Sequence, residues 1–164
     1  MSDVPDLRWN EWSAPSRAKV ERTGVHLFTK AFRDANPVYH SAEAARAAGF
    51  ADVPCPPTYT FVMAHGGGWP DLQPEAPKAA IEENATLKLN EAKGLFLHGE
   101  QHFTYHRTPV VGEVLQARRR TAEPYEKASR RGTMQVTHYE TEWADLDGNP
   151  VVTETIVGLF IPEG

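Results

Sequence analysis

The chain has 164 residues, a net charge of −5 and 40 % hydrophobic residues, which is ordinary for a globular protein and enough to bury a core. The acidic balance excludes a nucleic-acid-binding face, which needs clustered basic charge, and no apolar run is long enough to span a bilayer. Cys55 is the single cysteine, which excludes an internal disulfide. The segment from Met1 to Trp12 lacks the basic-then-apolar order of a secretory signal, so the expected location is cytoplasmic. One domain over 1–164, without repeats, is the expected organisation.

The elements fall into two halves. Up to about residue 93 the chain carries most of its prolines and the helical patterns; beyond it, strands joined by turns. Residues 17–21 read as a short opening strand. Over 23–33, Val25, Phe28 and Phe32 recur at helical spacing with Leu27 and Ala31 beside them, and Thr23 is placed to cap that helix. It must stop near Asp34 or Ala35, because Pro37 pushes Asn36 out of the helical region. Ser41 caps a second helix over 42–48, which Gly49 ends.

Cys55-Pro56-Pro57 opens a third helix over 58–64, proline being tolerated in a first helical turn. Tyr59, Phe61, Val62 and Met63 make it apolar nearly all round, which predicts burial. Gly66-Gly67-Gly68 ends it, and 69–77 is a proline-rich loop. Strands are predicted over 101–106, 114–121, 134–143 and 151–161, with a turn at 108–112 and a hairpin turn at Asp147-Gly148-Asn149. Arg118, Arg119 and Arg120 are adjacent in one of these strands, so they point to both faces, as on a solvated edge. The fold class is α+β: an antiparallel meandering sheet wrapped around one apolar helix.

Three groups of residues have the types that chemistry needs. Asp34-x-Asn36-Pro37-x-x-His40 places a carboxylate, an amide and an imidazole at a turn between two helices. Such a pair can orient a water and move its proton, and a helix C-terminus disfavours negative charge on Asp34, which raises its affinity for a proton. The same residue types also form turns through their own backbone. At the third helix, Pro56 and Pro57 remove two donors, so a carbonyl oxygen resting there would meet the amides of Thr58 or Tyr59; a start that merely packs is the bland alternative. His98, His102 and His106 repeat every four residues, a metal-ligand spacing on a helix. Gly99 and the surrounding alternation place them on a strand instead, where structural or substrate-facing roles are expected and no metal site is. Cys55 stands at a helix start, which lowers a thiol pKa, or is a small buried filler.

Three blocks in order resemble the MaoC-like dehydratases, which include the (R)-specific enoyl-CoA hydratases, and in particular their N-terminal-type domain. They are Phe28 through His40 with Glu43 to Phe50, then Pro56-Pro57-Thr58, then Leu97 through Pro109 with Gly112-Glu113. The resemblance spans roughly Arg17 to Ile161. It implies a hot-dog fold, dimers of such domains (homo- or heteromeric) and acyl-CoA or acyl-carrier-protein thioesters as substrates. The implied reaction is reversible addition of water to an enoyl thioester, giving a 3-hydroxyacyl thioester, with no cofactor.

Carried over by position, Asp34 and His40 take the acid and base roles and Asn36 helps hold the water or the loop. Pro57, Thr58 and Tyr59 form the substrate-binding helix start. One departure stands out: the hydratase pattern is Asp-x-Asn-Pro-x-His, and here Tyr39 is an extra residue before His40. Domains with the longer loop resemble the non-catalytic, acyl-binding half of a two-part hydratase, in which a sister subunit supplies the Asp–His pair and the 69–77 loop lines an acyl tunnel. A hot-dog acyl-CoA thioesterase is a further alternative, since hydrolysis also needs an oriented water and a polarised thioester.

Overall fold

A computed structural model describes residues 9–65, 94–130 and 132–162. The expected glycine helix stop at 66–68 and the loop over 69–77 lie outside them. In chain order the described elements are β1 (Ser16–Lys19), α1 (Arg22–Phe32), a 3₁₀ turn (Pro37–Tyr39), α2 (Ala42–Ala47), α3 (Tyr59–His65), β2 (Gly94–Tyr105), β3 (Val114–Thr121), β4 (Tyr125–Ser129), β5 (Gly132–Ala144) and β6 (Pro150–Pro162).

Among the described residues the strands form one antiparallel sheet in the order β1-β3-β5-β6-β2, with β4 also paired to β5. β3 and β4 lie end to end along one side of β5, joined across Ala122, whose amide still donates to the His138 carbonyl at 2.9 Å. Pro124, which has no N–H to give to a ladder, stands in the break between them. The β5–β6 hairpin is held by Asp145, whose carboxylate accepts the amides of Asp147 at 3.0 Å and Asn149 at 2.9 Å and the Asn149 side-chain amide at 2.9 Å.

One row across the sheet sets the core. Ala117 pairs with Trp143, Trp143 with Val152, and Val152 with Tyr105, so four strands present these side chains on one face. Trp143 and Val152 are buried, and with Val20, Val25, Val53, Leu115 and Val151 they pack around Tyr59 and Ala64 of α3. This is the hot-dog arrangement, a helix laid in a curved antiparallel sheet. Gly24 on α1 permits a close approach here: a Cβ at that position would run into the Tyr59 hydroxyl, so the helix pair packs tightly only because the side chain is absent.

Four sequence expectations change. The first helix begins at Arg22 with Glu21 as its cap residue, and Thr23 lies inside it; its stop is Arg33, in the left-handed region at φ 55°. The third helix, expected from residue 58, begins one residue later at Tyr59, because Thr58 holds a left-handed φ of 66°. Its burial is one-sided: Tyr59, Thr60 and Ala64 are buried while Val62 is 42 % exposed. The arginine run is not a free edge. Arg118 and Arg120 pair with Glu142 and Glu140 and stack on the Trp12 ring, at 5.4 and 4.7 Å from its centroid, while Arg119, on the opposite face, donates to the Ala64 carbonyl near the C-terminal end of α3, where positive charge is favoured.

Candidate functional site

The loop from Asp34 to His40 is organised by its own backbone. The Asp34 carboxylate accepts the Asn36 amide at 2.9 Å, and the Asn36 side-chain oxygen accepts the Val38 amide at 3.2 Å. These are side-chain-stabilised turns. They launch the 3₁₀ turn, in which the amides of Tyr39 and His40 donate to the carbonyls of Asn36 and Pro37, both at 3.1 Å. The imidazole of His40 reaches the main-chain carbonyl of Asp34 at 2.6 Å, not its carboxylate. A carbonyl only accepts, so Nε2 carries the proton. The His26 ring meets the His40 ring edge-on at 6.0 Å. Asp34, Asn36 and His40 are all exposed.

Beside this loop lies a cavity of about 380 Å³, within the size range of small-molecule sites. Asn36, Val38 and Tyr39 of the loop line it together with Phe50, the 54–57 segment, Thr60, Tyr105, Thr108, Pro109 and Val152. The expected residues therefore separate. Asn36 and Pro57 line the cavity; Asp34 and His40 do not. The additional residue Tyr39 is on the cavity wall, and burial, together with the negative charge of Asp34 and the Cys55 sulfur, pushes its phenol up from the ordinary tyrosine range. Tyr59 lies in the core, only 7 % exposed, and burial raises its phenol as well.

The two amides singled out for a carbonyl oxygen are both engaged. Thr58 N–H donates to the Tyr105 hydroxyl at 3.1 Å, and Tyr59 N–H donates to the Pro56 carbonyl at 3.2 Å. Thr58 does so from a left-handed backbone at φ 66°, a conformation a β-branched residue adopts only when its surroundings impose it.

Cys55 is a buried filler, 6 % exposed, and its thiol is pushed up to about 12 by burial first and then by Glu113 and Glu154. The helix-start reading, which lowers the thiol, is thereby overturned: burial outweighs it. The three histidines do not converge. A bulge between His98 and Glu100 breaks the alternation, so His98 meets the Phe61 ring at 6.1 Å, while His102 pairs with Glu100 at 3.0 Å and His106 with the Thr153 hydroxyl at 3.2 Å. Among the described residues no group of His, Cys, Asp and Glu has the arrangement to hold a metal ion.

Three residues of the site region were passed over in the sequence. Thr60 is the polar interruption of an otherwise apolar helical stretch. Tyr105 lies near the end of the strand predicted over 101–106, and its ring stacks on that of Phe103 at 5.9 Å. Glu154, 1 % exposed, accepts the Trp143 indole N–H at 3.0 Å; a carboxylate on an alternating strand carries no sign that it points inward.

Residues 10–154 match the family described as FAS1-like, dehydratase domain region. The chain belongs to this FAS1-like dehydratase family. A UPF0336 protein of Clavibacter michiganensis is 32 % identical over 160 residues, covering 98 % of this chain and 95 % of its own length. In fold, the chain is similar to the ChsH1–ChsH2 complex of Mycobacterium tuberculosis, with a TM-score of 0.70 at 22 % identity over 93 % of this chain and 86 % of that one. It is similar too to the C-terminally truncated HadBC (3R-hydroxyacyl-ACP dehydratase) complex of the same organism, with a TM-score of 0.69 at 18 % identity over 94 % and 98 % of the two chains. The wider fold neighbours of this FAS1-like dehydratase chain are MaoC-like dehydratases.

Proposed function

We propose that this chain is the acyl-binding half of a two-part acyl-thioester hydratase/dehydratase, with the proton-transferring Asp–His pair supplied by a sister subunit of the same fold. The observation that carries the reading is the direction of the loop side chains: Asp34 and His40 are bonded to the loop's own backbone, while Asn36, Val38 and Tyr39 wall the cavity. A general base must lie within hydrogen-bond reach of the proton it takes, and neither Asp34 nor His40 lines the cavity. The comparisons support the pairing, since two of the fold neighbours are complexes named for two components. They support the substrate class as well, since one of these is named a 3R-hydroxyacyl-ACP dehydratase.

In this scheme the acyl thioester lies in the cavity of this chain, against Tyr39, the 54–57 segment and Val152. The sister's Asp and His orient a water; its oxygen bonds to C3 of the enoyl group, and the proton it loses is returned at C2. Negative charge gathers on the thioester oxygen during addition, and hydrogen-bond donors at the cavity wall stabilise it there.

The experiment is co-expression of the tagged chain with a MaoC-like chain carrying the uninterrupted Asp-x-Asn-Pro-x-His pattern. Hydration of crotonyl-CoA and release of free thiol are followed separately in the eluted material. A stable complex that hydrates without releasing thiol supports the proposal. A chain that elutes as a fully active homodimer overturns the two-part scheme, and thiol release without hydration assigns it to thioester hydrolysis.

A further inference from the structure

The cavity lining has a feature that the amide-based reading of the helix start does not explain. Thr60 lines the cavity, is 2 % exposed, and its hydroxyl oxygen is buried without a hydrogen-bond partner among the described residues. A buried hydroxyl left unpaired is destabilising, and one that lines a cavity is placed to bond what enters it. Its usual helical partner is absent for a structural reason. Thr60 is the second residue of α3 and Thr58 before it is left-handed, so no helical turn precedes it to present the carbonyl that a helical threonine hydroxyl usually takes.

Two residues before it, the Thr58 amide is bound to the Tyr105 phenol oxygen at 3.1 Å. Tyr105 stands 47 % exposed at the end of β2 and lines the same cavity. Its ring is fixed by near-parallel stacking on Phe103, with 9° between the planes. A phenol whose oxygen accepts an N–H has its own O–H polarised and left to donate. The donor that the helix start offers to the cavity is therefore passed on through Tyr105.

Resting on the acyl-thioester reading above, we infer that the hydroxyls of Tyr105 and Thr60, and not the backbone amides of Thr58 and Tyr59, are the hydrogen-bond donors that receive the carbonyl oxygen of the bound thioester. Thr58 is then a positioning residue that acts through Tyr105. Both donors are hydroxyls without a formal charge to offset that of a carboxylate, so they suit a carbonyl. The cavity is thereby matched to an ester-like acyl group rather than to a free acid.

The test uses two ligands that differ only at the carbonyl, butyryl-CoA and S-butyl-CoA, the second being a thioether. Their dissociation constants are measured by calorimetry on the full chain in complex with its sister, for the native protein, Tyr105→Phe and Thr60→Val. One lost hydrogen bond at about 0.5–1.5 kcal/mol corresponds to an affinity loss of about 2- to 13-fold. That loss is expected for butyryl-CoA in each variant, with S-butyl-CoA unchanged. Thr60→Val is expected to melt at or above the native temperature, because it removes an unpaired hydroxyl at constant volume, so loss of folding does not mimic the result. Equal losses for the two ligands, or none, overturn the inference while leaving the proposed function in place. Failure of the native complex to bind either ligand overturns that function, and the inference with it.

Discussion

His40→Ala separates an acid–base role from a turn-holding one by magnitude. Removing a side chain that transfers a proton in the transition state slows an enzyme by about 10²–10⁴-fold. In this structure the imidazole is exposed and bonds to one main-chain carbonyl, that of Asp34, at 2.6 Å. Losing an exposed hydrogen bond of this kind costs at most about 0.5–1.5 kcal/mol of local stability, because water takes its place. Asp34→Asn is milder still, since an amide oxygen continues to accept the Asn36 N–H that Oδ1 accepts at 2.9 Å. The expected outcome for each variant, assembled with a sister subunit and assayed on crotonyl-CoA, is a turnover within about 3-fold of the native complex. A fall of a hundredfold or more in a complex that still assembles and melts normally would refute the assignment of these residues to the turn.

Three further outcomes follow from other parts of the fold. Trp143→Phe withdraws an indole donor from the buried Glu154 carboxylate; the expected cost is about 1–3 kcal/mol, or roughly 2–10 °C in the melting temperature, and Glu154→Gln, which keeps an acceptor for the indole, loses less. The Asp145 carboxyl is held below the ordinary carboxylate range by the side chain and amide of Asn149. The unfolded chain therefore binds this proton at a higher pH than the folded one. The stability it provides is complete above the unfolded value near about 4 and is lost as the pH falls through the folded value, so Asp145→Asn flattens the acid side of a melting-temperature profile. Cys55, with its thiol pushed up to about 12, is expected to react with a soluble thiol reagent at pH 8 about 10²–10³-fold more slowly in the native chain than in denaturant, because only the thiolate attacks; comparable rates in both would contradict its burial.

Much of the sheet was legible because its strands alternate. The 114–121 prediction coincides with β3, and 151–161 falls within β6, whose hairpin is announced by Asp147-Gly148-Asn149. β4 was not legible: Glu126 and Lys127 are exposed and, among the described residues, the strand pairs only with β5, so no apolar face marks it. The start of α3 was displaced because two prolines are compatible both with a first helical turn and with an extended approach to it. The left-handed φ of 66° at Thr58 decides between these, and no residue type foretells a β-branched side chain there.

The site divides in the same way. Asn36, Tyr39 and Pro57 line one cavity; in the sequence only the family resemblance set that loop beside the helix start, and Tyr39 was no more than an added residue. His40 meets the main-chain carbonyl of Asp34 and not its carboxylate, a choice that the residue types alone do not make. With Tyr39 in the 3₁₀ turn, the ring of Tyr39 faces the cavity and that of His40 folds back on the loop. The donors Thr60 and Tyr105 were hidden because their sequence surroundings are apolar, and a polar group inside an apolar pattern is noticed only when its partner, or its lack of one, is visible.

The division of labour between two subunits is tested most directly by a titration in one cuvette. Crotonyl-CoA hydration is followed while the sister subunit is added to a fixed amount of this chain. The account predicts no turnover above the uncatalysed rate at the start, then a rise that saturates when the two chains are equimolar. Full turnover before any sister is added, abolished by His40→Ala, would contradict it.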